Sequence, residues 1–117
     1  KVKIFNKVFL ISIHSFTKSD FKFDRGVEIG LLWNSNMNLL LPIQKELVKK
    51  KIHLGRNFPY SGFHYNFTLD RIYKNFSLDN ISIEIRNDLI CSKKGITNYV
   101  KLLSNIFKEF LYDQASQ

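Results

Sequence analysis

Cysteine is almost absent: Cys91 stands alone among 117 residues. It allows no internal disulfide and no cysteine-built zinc site, and a reducing, cytoplasmic location is expected. Histidine is scarce, at three residues, and none is spaced as His-x-x-x-His or His-x-x-Glu, so no paired-ligand helix is present. Long apolar runs are missing. The best candidate, residues 8–13, falls far short of the ~20 residues that span a bilayer. The His-Ser-Phe-Thr that follows is no small-residue cleavage site, so a signal peptide is rejected and no membrane partner is expected. A phosphate loop, a dinucleotide fingerprint and a Gly-x-Ser-x-Gly elbow are all absent, which removes the commonest nucleotide-binding and serine-hydrolase signatures. Two prolines and five glycines form no linker, and no repeat is visible, so residues 1–117 read as a single domain.

Acidic residues are in deficit, ten against eighteen Lys and Arg, giving a net charge of +8 and a pI near 9.7. Such a balance suits an anionic partner. The charge is spread along the chain, however. The one dense run, Lys49, Lys50 and Lys51, falls at the end of an expected helix, where cations complement the dipole. What the chain has in plenty is apolar material: 44% hydrophobic and 15% aromatic residues, enough for a core. Asn-x-Ser/Thr triplets at Asn66, Asn75 and Asn80 are what an Asn-rich chain produces by chance and do not argue for secretion.

Residues 8–13 are nearly continuous in β-formers and predict a strand covered on both faces, ending at His14. Residues 17–26 read as a loop and residues 27–33 as a second buried strand. A helix is expected over about 38–51, with Pro42 in its first turn and Ile43, Leu47 and Val48 on its apolar face. Residues 53–62, with Gly55, Pro59 and Gly62, read as an ordered loop. Residues 67–76 are weakly helical. Residues 81–86 form the third strand, and a last helix runs from about 97 to 112, with Tyr99, Leu102, Leu103, Ile106 and Phe110 as its core stripe. The tail from Asp113 reads as polar and frayed. Strands alternating with helices predict an α/β fold with a mainly parallel or mixed sheet flanked by helices, its site beyond the carboxyl ends of the strands.

The third strand carries the strongest chemical signal. Ile81, Ile83 and Ile85 alternate with Ser82, Glu84 and Arg86, which puts the carboxylate and the guanidinium on one face, about 7 Å apart. On an open strand this is a solvated ion pair; on a covered strand it is a buried carboxylate that calls for a use. His14, at a strand end, is either a metal ligand or a histidine bonded into a turn. His53, after the lysine run, and His64 are unconvincing companions, and one histidine does not hold zinc. Ser15 and Ser61 have no evident base. The stretch Asn57-Phe58-Pro59-Tyr60-Ser61-Gly62 offers an amide, a phenol and turn amides. It serves equally well as a clamp for a small carboxylate or as a structural turn.

Taken together and in order, four clusters resemble the second half of the N-formylglutamate amidohydrolase family: His-Ser-Phe-Thr after an apolar strand, Arg25-Gly-Val-Glu-Ile-Gly-Leu-Leu-Trp33, Asn-Phe-Pro-Tyr-Ser-Gly, and Glu-Ile-Arg-Asn-Asp-Leu-Ile. The resemblance covers about residues 8–110 and implies a fold like part of a zinc-dependent exopeptidase. It implies hydrolysis of the amide bond of an N-formyl or N-acyl amino acid, with zinc as cofactor. It further implies His14 as a zinc ligand, Glu84 as the general base, and Arg86, Asn57, Tyr60 and Arg25 as candidates for holding the substrate carboxylate or the oxyanion. Two positions depart from the family: Lys18 where a proline is usual, and Ile72 where a histidine often precedes the last strand. The family's other metal ligands belong to an N-terminal half that the chain lacks. The expectation is therefore the C-terminal portion of an amidohydrolase domain, inactive alone, with a sheet edge or apolar face exposed to a missing segment or to another copy. Two other classes stand beside this reading: a non-catalytic basic domain for an anionic partner such as nucleic acid, which is ranked below it, and a degenerate remnant.

Overall fold

The computed structural model describes residues 8–17, 26–33, 37–57 and 78–115. Four strands, β1 (Phe9–Phe16), β2 (Ile29–Leu32), β3 (Leu54–Arg56) and β4 (Asp79–Arg86), form one sheet in the order β1-β4-β2-β3. The sheet is mixed: β1 runs parallel to β4, β2 parallel to β3, and β2 antiparallel to β4. The two described helices are α1 (Leu40–Lys49) and α2 (Lys93–Ala115), with a tighter helical turn, Asn87–Ile90, joining β4 to α2.

Strand pleat divides the sheet into two unlike faces. On one face Ile81, Ile83, Ile85, Ile29 and Leu31 meet Leu40, Ile43 and Leu47 of α1 and Leu103 and Ile106 of α2 in a single core. Each fully buried Ile or Leu there contributes roughly 1.5–3 kcal/mol. Both helices lie on this face. The opposite face of β4 carries Asn80, Ser82, Glu84 and Arg86, all buried.

Several boundaries differ from the sequence expectation. The first strand does not end at His14 but continues to Phe16, in register with Arg86. It is not covered on both faces either. Among the described residues it is an edge strand, with Val8 and Ile13 about half exposed at 52% and 51%. Within the expected loop 53–62 the structure builds β3. Its three residues, one of them glycine, show no alternation to read, and tertiary pairing with β2 decides their state. Helix α2 begins near 93 rather than 97. Ser92 caps it by accepting the Gly95 N–H at 3.1 Å, which satisfies one orphan donor of the first turn. Gly95 is therefore inside the helix, and a Cβ there would collide with the Leu89 carbonyl. The backbone stays helical through Ala115, into the expected frayed tail. The expected 67–76 helix lies outside the described residues.

Candidate active site

Register builds the site. His14 of β1 pairs with Glu84 of β4, and Glu84 pairs with Gly30 of β2, which in turn faces Gly55 of β3. Cross-strand partners share a face. Adjacent strands lie about 4.8 Å apart, so an imidazole and a carboxylate stand side by side on the polar face, two residues before the carboxyl ends of two parallel strands. Across β2 and β3 the row continues as bare backbone, since neither glycine adds a side chain. The sheet thereby offers an acid and a nitrogen base next to a stretch with little steric bulk.

The choice between a solvated and a buried Glu84 falls to burial. Glu84 and Arg86 are each only 9% exposed. Burial pushes the Glu84 carboxyl above its ordinary value, and the neighbouring His14 charge pulls it partly back. Desolvation penalises the charged form, which is how a carboxylate acquires the basicity needed to accept a proton. His14 sits within a strand and is exposed, so it is not the turn histidine of the alternative reading.

Arg86 is held at the sheet's end. Its Nε donates to Asp88 Oδ1 at 2.6 Å and its Nη1 to the Val27 carbonyl at 3.2 Å, while its backbone N–H donates to the Glu28 carbonyl. The guanidinium thus stitches β4 to the approach of β2 and is aimed by an acidic neighbour. Asp88 carries a sequence signal, an acid two positions past the arginine. Only the helical turn after β4 reveals that it folds back. A second contact gave no such signal: the Tyr99 hydroxyl donates to Glu28 Oε2 at 3.4 Å across 71 residues of chain. Burial first, then the Glu28 charge and this hydrogen bond, push the Tyr99 phenol up to about 12, so it stays a proton donor. Tyr99 belongs to the core stripe, as its spacing predicts, with a polar tip at this strand end.

Asn57 does not join the row. It sits two residues beyond Gly55, just past the end of β3, a strand two removed from β4, and adopts φ 52°. Its Oδ1 accepts the Trp33 N–H at 3.0 Å and its own N–H reaches the Leu31 carbonyl at 2.9 Å, which locks the end of β3 to β2. Arg25, Tyr60, Ser61, His64, Lys18 and Ile72 lie outside the described residues. His53 precedes β3, and its carbonyl accepts the N–H groups of Glu28 and Ile29. Lys49, Lys50 and Lys51 are exposed at the end of α1, with Lys49 paired to Glu46 at 3.3 Å. Among the described residues no helix is long and apolar enough to cross a membrane.

Zinc requires about three protein ligands. Among the described residues no group of three or more His, Cys, Asp or Glu side chains could hold a metal ion. His14 and Glu84 by themselves fall short of a zinc site.

Comparison with known proteins places the chain, though not its individual site residues. A family model described as N-formylglutamate amidohydrolase matches residues 1–91. The crystal structure of a gene product from Agrobacterium tumefaciens superposes with a TM-score of 0.74 and 29% sequence identity, covering 89% of this chain and 43% of that one. The chain thus spans less than half the length of the solved structure it matches. No curated protein matches.

Proposed function

From a chain that belongs to the N-formylglutamate amidohydrolase family, we propose a hydrolytic role centred on Glu84: cleavage of the amide bond of an N-formyl or N-acyl amino acid. The observation that carries this reading is the buried carboxylate in register between His14 and two side-chain-free glycines. In the proposed reaction, Glu84 takes a proton from a water molecule as its oxygen adds to the amide carbonyl carbon. The C–N bond then breaks, and the carboxyl returns that proton to the departing nitrogen. One carboxylic acid and one free amine leave, and Glu84 is regenerated. Arg86 is the foremost candidate for the substrate carboxylate or the oxyanion, since a guanidinium can serve either and Asp88 fixes its direction. Arg25, Tyr60 and Asn57 are the remaining candidates. Asn57 would act with its side-chain oxygen already committed to Trp33.

His14 is proposed as one nitrogen ligand for zinc, whose other ligands lie outside the described residues. Zinc content measured by elemental analysis checks the assignment in a chimera that replaces the matched part of the Agrobacterium protein with this chain. His14→Ala should empty the site, and full occupancy in that variant would remove His14 as a ligand.

The chain alone is proposed to be incomplete. Formate release from N-formyl-L-glutamate tests both parts of this reading. Turnover is expected from the chimera and none from the chain alone. Turnover by the chain alone would overturn incompleteness, and an inactive chimera would overturn the amidohydrolase reading.

A further inference from the structure

Glu28 is where three elements meet. The peptide plane that joins it to Val27 is held at both ends: the Glu28 N–H donates to the His53 carbonyl at 2.9 Å, and the Val27 carbonyl accepts from Arg86 Nη1 at 3.2 Å. A peptide plane is rigid, so these two bonds move together. The next carbonyl, that of Glu28 itself, accepts the Arg86 backbone N–H at 2.9 Å. The Glu28 side chain turns to the helix layer, where its Oε2 accepts the Tyr99 hydroxyl at 3.4 Å. The 27–28 backbone thus holds Arg86, and α2 reaches that backbone through Tyr99. The charges of Arg86 and Asp88 both act on the Tyr99 phenol, which places the four groups in one cluster. Just before this backbone, Gly26 takes φ 85°, a conformation that glycine adopts without steric cost. A permissive residue precedes the segment, so the bonds made by Glu28 help to set where its carbonyls stand.

We propose that Tyr99 is a positioning residue for Arg86: by holding Glu28 it steadies the carbonyls that aim the guanidinium at a substrate carboxylate. The inference deepens the hydrolytic reading and rests on it. It gives α2 a part in the site, although the family model ends at residue 91. A phenol suits the task. Its hydroxyl donates one hydrogen bond and carries no charge that would compete with the guanidinium for an anion, while its ring packs against the core. Asp88 takes Arg86 Nε and Val27 takes Nη1, so two nitrogens are aimed by separate partners, and Tyr99 steadies the second. A guanidinium fixed beforehand loses less freedom when it grips a carboxylate with two parallel bonds. The Tyr99–Glu28 contact is a single long hydrogen bond, so its loss should weaken substrate binding by a small factor and leave the chemical step alone.

Kinetics of the chimera described above and NMR of the chain alone test it together. In the chimera, Tyr99→Phe should raise KM for N-formyl-L-glutamate about two- to threefold and leave kcat unchanged. Glu28→Gln, which keeps an acceptor for the phenol, should stay at the parent KM. In an Arg86→Ala background, Tyr99→Phe should change kcat/KM no further, because the group it aims is gone. A fall in kcat, or an equal loss with and without Arg86, would mark a merely structural tyrosine and overturn the proposal. In the chain alone, the order parameter of the Arg86 Nε–H bond should drop in Tyr99→Phe from about 0.85 toward 0.6, while those of the β4 backbone amides hold. An unchanged Arg86 order parameter would overturn the proposal as well. An inactive parent chimera would sink the hydrolytic reading instead, and the Arg86 order parameter would then decide the positioning by itself.

Discussion

Glu84 is where stability and chemistry pull in opposite directions. Its folded-state pKa is raised by burial above the ordinary 4.5. A carboxyl shifted this way favours the fold when protonated. Its contribution is fully present below about pH 4.5 and is lost as pH rises through the raised folded value. In metal-free protein, Glu84→Gln should therefore melt at a higher temperature than the parent at pH 7, and the gap should close as pH falls toward 4. A variant that melts lower at pH 7 would mean the carboxylate is held by favourable contacts and not strained by burial. Asn57 gives a second residue-level test. Its φ of 52° and its bond to Trp33 make it structural as well as a substrate candidate. Asn57→Ala should cost about 1–3 kcal/mol by chemical denaturation. Asn57→Gly, which relieves the backbone, should cost less. Tyr99→Phe removes a long hydrogen bond to Glu28, and about 0.5 kcal/mol is expected.

The elements show which signals sequence carries and which it does not. The strand β4 was legible to its side-chain faces, because Ile81, Ile83 and Ile85 alternate with polar residues and the core takes exactly that set. Helix α1 was legible from Pro42 and the Ile43–Leu47 spacing, though its regular span is shorter, Leu40–Lys49, and Val48, expected on the apolar face, is 57% exposed. Strand β3 was not, since a three-residue strand with a central glycine takes its state from β2. The start of α2 was readable in principle from Ser92 as a cap, but the apolar stripe, whose first member is Tyr99, set the expected start near 97. Gly95 is required by packing: with the Leu89 carbonyl against it, a methyl group has no room. Gly95→Ala should push the Asn87–Ile90 turn away from α2 and destabilise by about 1–3 kcal/mol, read as a lower denaturation midpoint. An unchanged midpoint would show that the turn shifts freely.

For the whole molecule, order along the chain revealed the candidate residues, but only the topology shows which of them meet. His14 and Glu84 are 70 positions apart and become neighbours because β1 and β4 run parallel in that register. No local pattern encodes that pairing. Among the described residues the same topology sets β1 beside β4 alone. The central claim is that Glu84 acts as the base. The most direct measurement is formate release from N-formyl-L-glutamate by the chimera, with and without Glu84→Gln. The account predicts a fall in kcat of about 10²–10⁴ while the fold and the zinc content hold. Retained turnover in the Glu84→Gln protein would contradict it.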